Sequence, residues 1–104
     1  MSEFVRVASV GDIPPGSGRT VYLGATPVAL FNVDGRFFAI QDNCPHEDGS
    51  LGEGTLCGRV VTCPVHAYEF DLGSGECLTE EVYRVERFEV RVDGDDILLR
   101  PAAD

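Results

Sequence analysis

The clearest structural pattern in the sequence is the run Pro27-Val28-Ala29-Leu30-Phe31-Asn32-Val33-Asp34-Gly35-Arg36-Phe37-Phe38-Ala39-Ile40. Two apolar runs of strand length flank the pair Asp34-Gly35, which adopts at low cost the positive backbone φ angles of a two-residue hairpin turn. The sequence therefore predicts an antiparallel β-hairpin with strands over 27–33 and 36–40.

Further strand patterns lie on both sides of this hairpin. Segments 4–8 and 20–23 precede it, and a second hairpin is predicted near the C-terminus, where apolar and charged residues alternate up to Asp93-Gly94 and 97–99 returns. Glycines break up residues 41–81, in which only 59–62 and 68–70 look extended. No helical period exceeds two turns, so the sequence predicts an all-β fold, a small antiparallel barrel or sandwich with a loop-rich insert.

Length and charge limit the possible functions. The 104 residues fit one domain, and the formal net charge of -10 disfavours nucleic acid and anionic membrane surfaces as partners. Nine acidic residues and only one basic residue, Arg59, fall within 41–81, so these loops form an acidic pole. The start of the chain lacks a signal-peptide pattern, and no apolar run approaches the roughly 20 residues of a membrane span. A cytoplasmic protein with reduced cysteines is expected.

The chain has two histidines, and each follows a cysteine at short spacing, in Cys44-Pro45-His46 and Cys63-Pro64-Val65-His66. Two thiolates and two imidazoles can complete one tetrahedral zinc site, or can divide between two irons. The single residue between Cys44 and His46 favours ligands that point to different metals over chelation of one ion. Both readings remain open at this level. Cys57 and Cys77 have no partner histidine and are predicted to be ordinary thiols.

These two pairs, together with the later Phe70-Asp71-Leu72-x-Ser74-Gly75-Glu76, resemble the signature of the Rieske [2Fe–2S] proteins. The strand-rich flanks and Asp42-Asn43 also resemble the small soluble Rieske ferredoxins. The resemblance implies a single Rieske domain over 1–104, with a cluster-binding part at about 41–81. It implies one [2Fe–2S] cluster, with Cys44 and Cys63 on one iron and His46 and His66 on the other.

The resemblance also implies a function, that of a one-electron carrier and not an enzyme. Such a ferredoxin takes electrons from a flavoprotein reductase and passes them to a terminal oxygenase, an aromatic-ring dioxygenase or a related hydroxylase. The sequence itself argues against the roles of terminal oxygenase and of reductase. No histidine is left for a mononuclear iron site, and no G-x-G-x-x-G motif follows a strand. Exposed carboxylates around Glu47, Asp48 and Glu53 are the expected docking face for basic partner surfaces.

Departures from the high-potential Rieske proteins bear on the reduction potential. Alignment on the ligands places Gly49 and Val65 where those proteins carry a disulfide, and Tyr68 and Phe70 where they carry hydroxyl donors to the cluster. The disulfide cannot form at these positions, and other residues replace the usual hydroxyl donors. We therefore expect a potential toward the lower end of the Rieske range of about -150 to +300 mV.

Two other functions compete with this one. The run Cys44-Pro45-His46-Glu47-Asp48-Gly49 also resembles the small subunit of assimilatory nitrite reductases. A zinc-stabilised binding module without redox activity is the alternative from another class. Colour and metal content distinguish it from an iron–sulfur protein.

Overall fold

The computed structural model describes residues 3–45, 49–65 and 67–102. In these ranges the chain forms nine β-strands and two short 3₁₀ turns, Val10–Asp12 and Leu51–Glu53, with no α-helix. No helix of the described part has the length and apolar character needed to cross a membrane. The strands are β1 Val5–Ser9, β2 Gly18–Leu23, β3 Thr26–Val33, β4 Arg36–Gln41, β5 Thr55–Cys57, β6 Val60–Thr62, β7 Glu69–Asp71, β8 Arg87–Asp93 and β9 Asp96–Pro101.

Six strands form one antiparallel sheet in the order β1-β9-β8-β4-β3-β2. The first and last strands of this order, β1 and β2, approach each other, so the sheet curls into a nearly closed barrel. Closure of this kind protects the edge strands of a small β protein from pairing with other chains. The predicted all-β barrel is confirmed.

Both predicted hairpins are confirmed, and their strands pair across the predicted turns. Val33 pairs with Arg36 across the first turn, where Asp34 and Gly35 have φ angles of 52° and 91°. Positive φ at both central residues defines the hairpin turn whose twist matches that of the flanking strands. In the second hairpin Asp93 pairs with Asp96.

Strand β3 is buried on both faces, which explains its continuous apolar run. Val28 and Leu30 point into the barrel, where they pack with Ile97 and Leu99 of β9. The opposite face carries Phe31, which belongs to a second core between the barrel and the loop-rich insert. Full burial of each such side chain contributes about 1.5–3 kcal/mol. The barrel therefore supports the insert through a shared apolar interface.

The insert contains a three-stranded antiparallel sheet in the order β5-β6-β7. The prediction of only two extended segments here was wrong, because Thr55–Cys57 forms the third strand. Three residues between Gly54 and Gly58 are too few to show an alternating pattern. Val61 and Phe70 of this sheet are fully buried in the second core. The loop that joins β6 to β7 carries the second cysteine motif.

Candidate metal centre

The first cysteine loop begins shortly after β4. Cys44 is 3% exposed, and its backbone N–H donates a hydrogen bond of 3.0 Å to the carbonyl oxygen of Gly49. Pro45, which follows it, is exposed. This bond closes the loop at its base and keeps the thiol inward.

The second loop, between β6 and β7, closes in the same way. Cys63 is 2% exposed, and its N–H donates to the carbonyl oxygen of Tyr68 at 2.7 Å. Its own carbonyl accepts from the N–H of Ala67, which has a φ of 60°. In both motifs a Cys-Pro pair opens the loop, and the cysteine N–H bonds to the carbonyl five residues on. The two motifs thus share one closure as well as one residue pattern.

Gly49 brings the two loops into contact. A β-carbon at this position would lie 2.8 Å from the sulfur of Cys63 and 2.7 Å from Cγ2 of Val65. Distances this short leave space only for glycine. Cys44 and Cys63 also belong to one buried core, together with Leu51 and Phe70. Folding therefore places the two cysteine motifs side by side.

Two of the four predicted ligands, Cys44 and Cys63, are among the described residues. His46 and His66, together with the predicted docking residues Glu47 and Asp48, lie outside the described residues. Within 3–45, 49–65 and 67–102, no group of three or more histidine, cysteine, aspartate or glutamate side chains could hold a metal ion. The two buried thiols in touching loops fit a group that takes thiolate ligands, as zinc and iron–sulfur clusters do.

The other two cysteines lie elsewhere. Cys57 is exposed at the end of β5, and Cys77 is buried, where its sulfur accepts a hydrogen bond of 3.3 Å from the N–H of Glu80. Neither position adds a ligand to the two loops in the described part of the chain.

A third loop, residues 78–82, lies beside the second. The N–H of Leu78 donates to the carbonyl oxygen of Glu69 at 2.7 Å, and the N–H of Glu69 donates to Oγ1 of Thr79 at 3.0 Å. These bonds fix the third loop against the start of β7, only a few residues after the second cysteine motif. The sequence alone assigned no role to this segment.

Tyr68 joins the second and third loops. Its half-buried ring packs against Tyr83, with ring centroids 5.7 Å apart and planes inclined at 57°. Burial raises the pKa of the Tyr68 hydroxyl above its ordinary value, and the nearby carboxylate of Glu80 raises it further. The hydroxyl therefore stays neutral beyond the usual pH range of a tyrosine.

Asp42, two residues before Cys44, is a buried residue that sequence reasoning did not assign to any role. Its side chain accepts hydrogen bonds from two segments, β2 and residues 50–52, and the residue is 8% exposed. The residues Asp42-Asn43 entered the sequence comparison only as part of a pattern. Nothing in a single sequence distinguishes a buried aspartate from an exposed one.

Comparison with known proteins assigns the family. The family model described as the Rieske [2Fe-2S] domain matches residues 3–89. The chain is 40% identical over 103 residues to the biphenyl dioxygenase ferredoxin subunit of Pseudomonas sp. strain KKS102, covering 92% of this chain and 90% of that protein. The chain belongs to the Rieske [2Fe–2S] domain family, as its sequence motifs predicted.

Solved structures agree with this assignment. The ferredoxin of carbazole 1,9a-dioxygenase from Nocardioides aromaticivorans IC177 superposes with a TM-score of 0.89 at 28% identity, covering 97% of this chain and 100% of that chain. A chain from the complex of reduced oxygenase and oxidized ferredoxin in carbazole 1,9a-dioxygenase gives 0.87 at 31% identity, covering 97% of both chains. These relatives are electron-transfer components of dioxygenase systems.

Similar structures also come from another system. A protein of Mycobacterium tuberculosis, assigned as the small subunit of an NADH-dependent nitrite reductase, gives a TM-score of 0.89 at 26% identity, covering 99% of both chains. The fold alone therefore does not separate the two systems.

Proposed function

We propose that this chain is a one-electron carrier that takes electrons from a flavoprotein reductase and delivers them to a terminal oxygenase. One [2Fe–2S] cluster is held by Cys44 and Cys63 on one iron and by His46 and His66 on the other. The whole of 1–104 acts as a single Rieske domain, with its cluster-binding part at about 41–81, and works in the cytoplasm. The final oxidation takes place on the partner enzyme.

The observation that carries this proposal is the contact between the two cysteine loops. Gly49 of the first loop packs on the sulfur of Cys63, and this contact between the loops supports a single site for the two buried thiols. Each histidine follows its cysteine inside the same closed loop of the sequence. A relative that is 40% identical to this chain is a ferredoxin subunit of a biphenyl dioxygenase.

When bound, such a cluster accepts and releases one electron at a time, at a potential set by its ligands and their hydrogen bonds. The chain contributes a rigid, dry setting for it. Cys44 and Cys63 are held by backbone bonds at the bases of their loops, and Phe70 and Leu51 exclude water on the core side. A rigid site changes little when its charge changes, which favours rapid electron exchange.

The docking surface for the partners is proposed to include the predicted carboxylates Glu47, Asp48 and Glu53, together with the third loop. Glu53 is exposed in the 3₁₀ turn that follows the first cysteine loop. Three of the exposed large apolar side chains lie on the second and third loops, with exposures of 45% for Val65, 56% for Leu78 and 80% for Val82.

The third loop adds negative charge to this apolar surface. Glu80 and Glu81 lie between Leu78 and Val82 and are exposed. Exposed apolar groups beside like charges are typical of transient interfaces, where charge steers the encounter and apolar contact holds it. The surface fits a partner with an apolar centre and a basic rim.

Metal and sulfide analysis of the purified chain, with an EPR spectrum after chemical reduction, tests the proposal. Two irons and two acid-labile sulfides per chain, with a rhombic reduced signal, are expected. Single variants C44S, C63S, H46N and H66N should lose this signal, whereas the matched control C57S, exposed at the end of β5, should keep it. One zinc per chain with no sulfide, and failed iron reconstitution, would point to the zinc-stabilised module.

Membership in a nitrite reductase remains the second candidate, because the superposition on that small subunit is as close as on the carbazole dioxygenase ferredoxin. Reconstitution separates the two. Turnover with a flavoprotein reductase and an aromatic-ring dioxygenase supports the oxygenase system. Copurification with a large sirohaem subunit, without such turnover, supports the nitrite reductase.

A further inference from the structure

Asp42 is more than nine-tenths buried, at the point where the barrel meets the first cysteine loop. Its Oδ1 accepts hydrogen bonds from Oγ1 of Thr20 at 2.9 Å and from the N–H of Gly52 at 2.9 Å. The hydroxyl of Ser50 lies 3.0 Å from both carboxyl oxygens. Every one of these partners donates, which is the arrangement that an ionised carboxylate needs in a buried position.

These contacts close the base of the loop from both ends. Asp42 lies two residues before Cys44, while Ser50 and Gly52 follow the closing residue of the same loop. The carbonyl oxygen of Asp42 also accepts from the N–H of Leu51 at 2.7 Å. The two ends of the cysteine loop are thus tied to a single residue.

Thr20 connects Asp42, and with it the first cysteine loop, to the barrel. It lies on β2, a strand of the six-stranded sheet, and packs so closely on Gly52 that a β-carbon there would be 2.5 Å from Oγ1 and 2.8 Å from the backbone nitrogen of Thr20. The carboxylate therefore fixes the loop to the barrel as well as to itself.

The described part of the chain gives the charge of Asp42 no cationic partner. Across residues 3–45, 49–65 and 67–102, the ion pairs join Arg6 to Asp96 and Arg100 to Glu89, and neither includes Asp42. A buried charge is screened less by water and salt than an exposed one. Its field is therefore weakened less with distance than that of an exposed carboxylate, and it disfavours a further negative charge in the adjoining loop.

We propose that Asp42 is a positioning residue for the metal centre, one that both holds the first cysteine loop in place and lowers the reduction potential through its buried charge. This inference rests on the proposed function, since it assumes that Cys44 is a cluster ligand.

The test compares the midpoint potentials of the holoprotein and of three variants. Asp42→Asn removes the charge at nearly constant shape and is expected to shift the potential upward. Ser50→Ala and Thr20→Val keep the carboxylate of Asp42 but remove hydroxyl groups that donate hydrogen bonds to it. Because these bonds partly neutralise the negative charge, both variants are expected to shift the midpoint potential downward. The control Glu53→Gln removes an exposed charge nearby and should give a smaller upward shift than Asp42→Asn, because water screens it.

A second readout follows the loop itself. Asp42→Asn, Ser50→Ala and Thr20→Val should each release iron to a chelator several times faster than the unaltered chain, and Glu53→Gln should not. Hydrogen exchange at the Gly52 amide should be faster in Asp42→Asn, and this can be measured with or without a cluster.

The measurements distinguish the electrostatic role of Asp42 from its positioning role. Shifts of the same sign in all three variants, or an Asp42→Asn shift no larger than that of Glu53→Gln, would overturn the electrostatic role. Unchanged iron release and Gly52 exchange would overturn the positioning role. If Asp42→Asn does not fold, the signs for Ser50→Ala and Thr20→Val still decide. A chain that binds no iron–sulfur cluster contradicts the proposed function, and the Gly52 exchange then reports on the loop alone.

Discussion

Gly49 lies directly against Cys63, so that a β-carbon at position 49 would be 2.8 Å from the cysteine sulfur. The two residues belong to different loops, 14 positions apart in sequence. The two cysteine motifs can approach each other this closely only because residue 49 has no β-carbon.

The substitution Gly49→Ala should therefore separate the loops. Overpacking of a buried position costs about 1–3 kcal/mol, and here the displaced atom is the sulfur of Cys63. Urea unfolding should show this loss, and iron content per chain should fall. Gly11→Ala is the control, because a β-carbon at Gly11 meets nothing within 4 Å. Equal iron content and stability in both variants would contradict the role given to Gly49.

The sequence predicted the barrel well because short-range patterns mark its turns and strands. Asp34-Gly35 marks a turn by its backbone freedom, and the alternation of β8 marks a strand with one wet face. The short strand β5 was missed because three residues carry no period. Asp42 was missed for a different reason, since its burial depends on Thr20, which is 22 residues away in sequence.

The candidate ligands themselves could be read from spacing, since two Cys-Pro motifs and two histidines are rare together. The packing of residues 78–82 beside the second loop could not, because it rests on a backbone bond from Leu78 to Glu69 and on a bond from the N–H of Glu69 to Thr79. Backbone bonds of this kind leave no trace in side-chain composition.

The reduction potential is expected to be low. Phe70 is fully buried and has no hydroxyl to donate, and Gly49 and Val65 touch where high-potential relatives have a disulfide. Fewer hydrogen bonds to a cluster leave its reduced, more negative form less stabilised. Redox titration followed by EPR should give a midpoint well below +150 mV, within the Rieske range of about -150 to +300 mV. A midpoint above about +150 mV would contradict the argument.

Ionisation of Tyr68 should occur at unusually high pH. Burial and the charge of Glu80 raise the pKa of its hydroxyl in the folded chain above the ordinary value of 10.0. The folded state therefore holds this proton more tightly than the unfolded state does. Its contribution to stability is present below about pH 10 and is lost as the pH rises through the folded-state pKa.

Absorbance at 295 nm, recorded during alkaline titration, measures this ionisation. The difference between the unaltered chain and Tyr68→Phe isolates the one hydroxyl and cancels any absorbance of a bound cluster. The difference curve should have its midpoint above pH 10. A midpoint at or below the ordinary tyrosine value would show that the hydroxyl is neither desolvated nor close to Glu80.

Truncation of the third loop's exposed apolar side chains should weaken partner docking. Leu78 and Val82 are 56% and 80% exposed, so replacing them with serine leaves the core intact while removing apolar contact. In electron transfer to the terminal oxygenase, we expect kcat/KM to fall about two- to tenfold, equivalent to about 0.4–1.4 kcal/mol. Stopped-flow oxidation of the reduced carrier by the oxygenase measures the rate.

Val92→Ser is the matched control, because Val92 is 46% exposed but lies on β8, outside the cysteine loops and the third loop. Its rate should equal that of the unaltered chain. The charge-neutral variants Glu80→Gln and Glu81→Gln should instead reduce the dependence of the rate on salt, since they remove steering and leave apolar contact in place. If Val92→Ser slows transfer as much as the loop variants do, docking does not use the third loop and its acidic residues only solvate the surface.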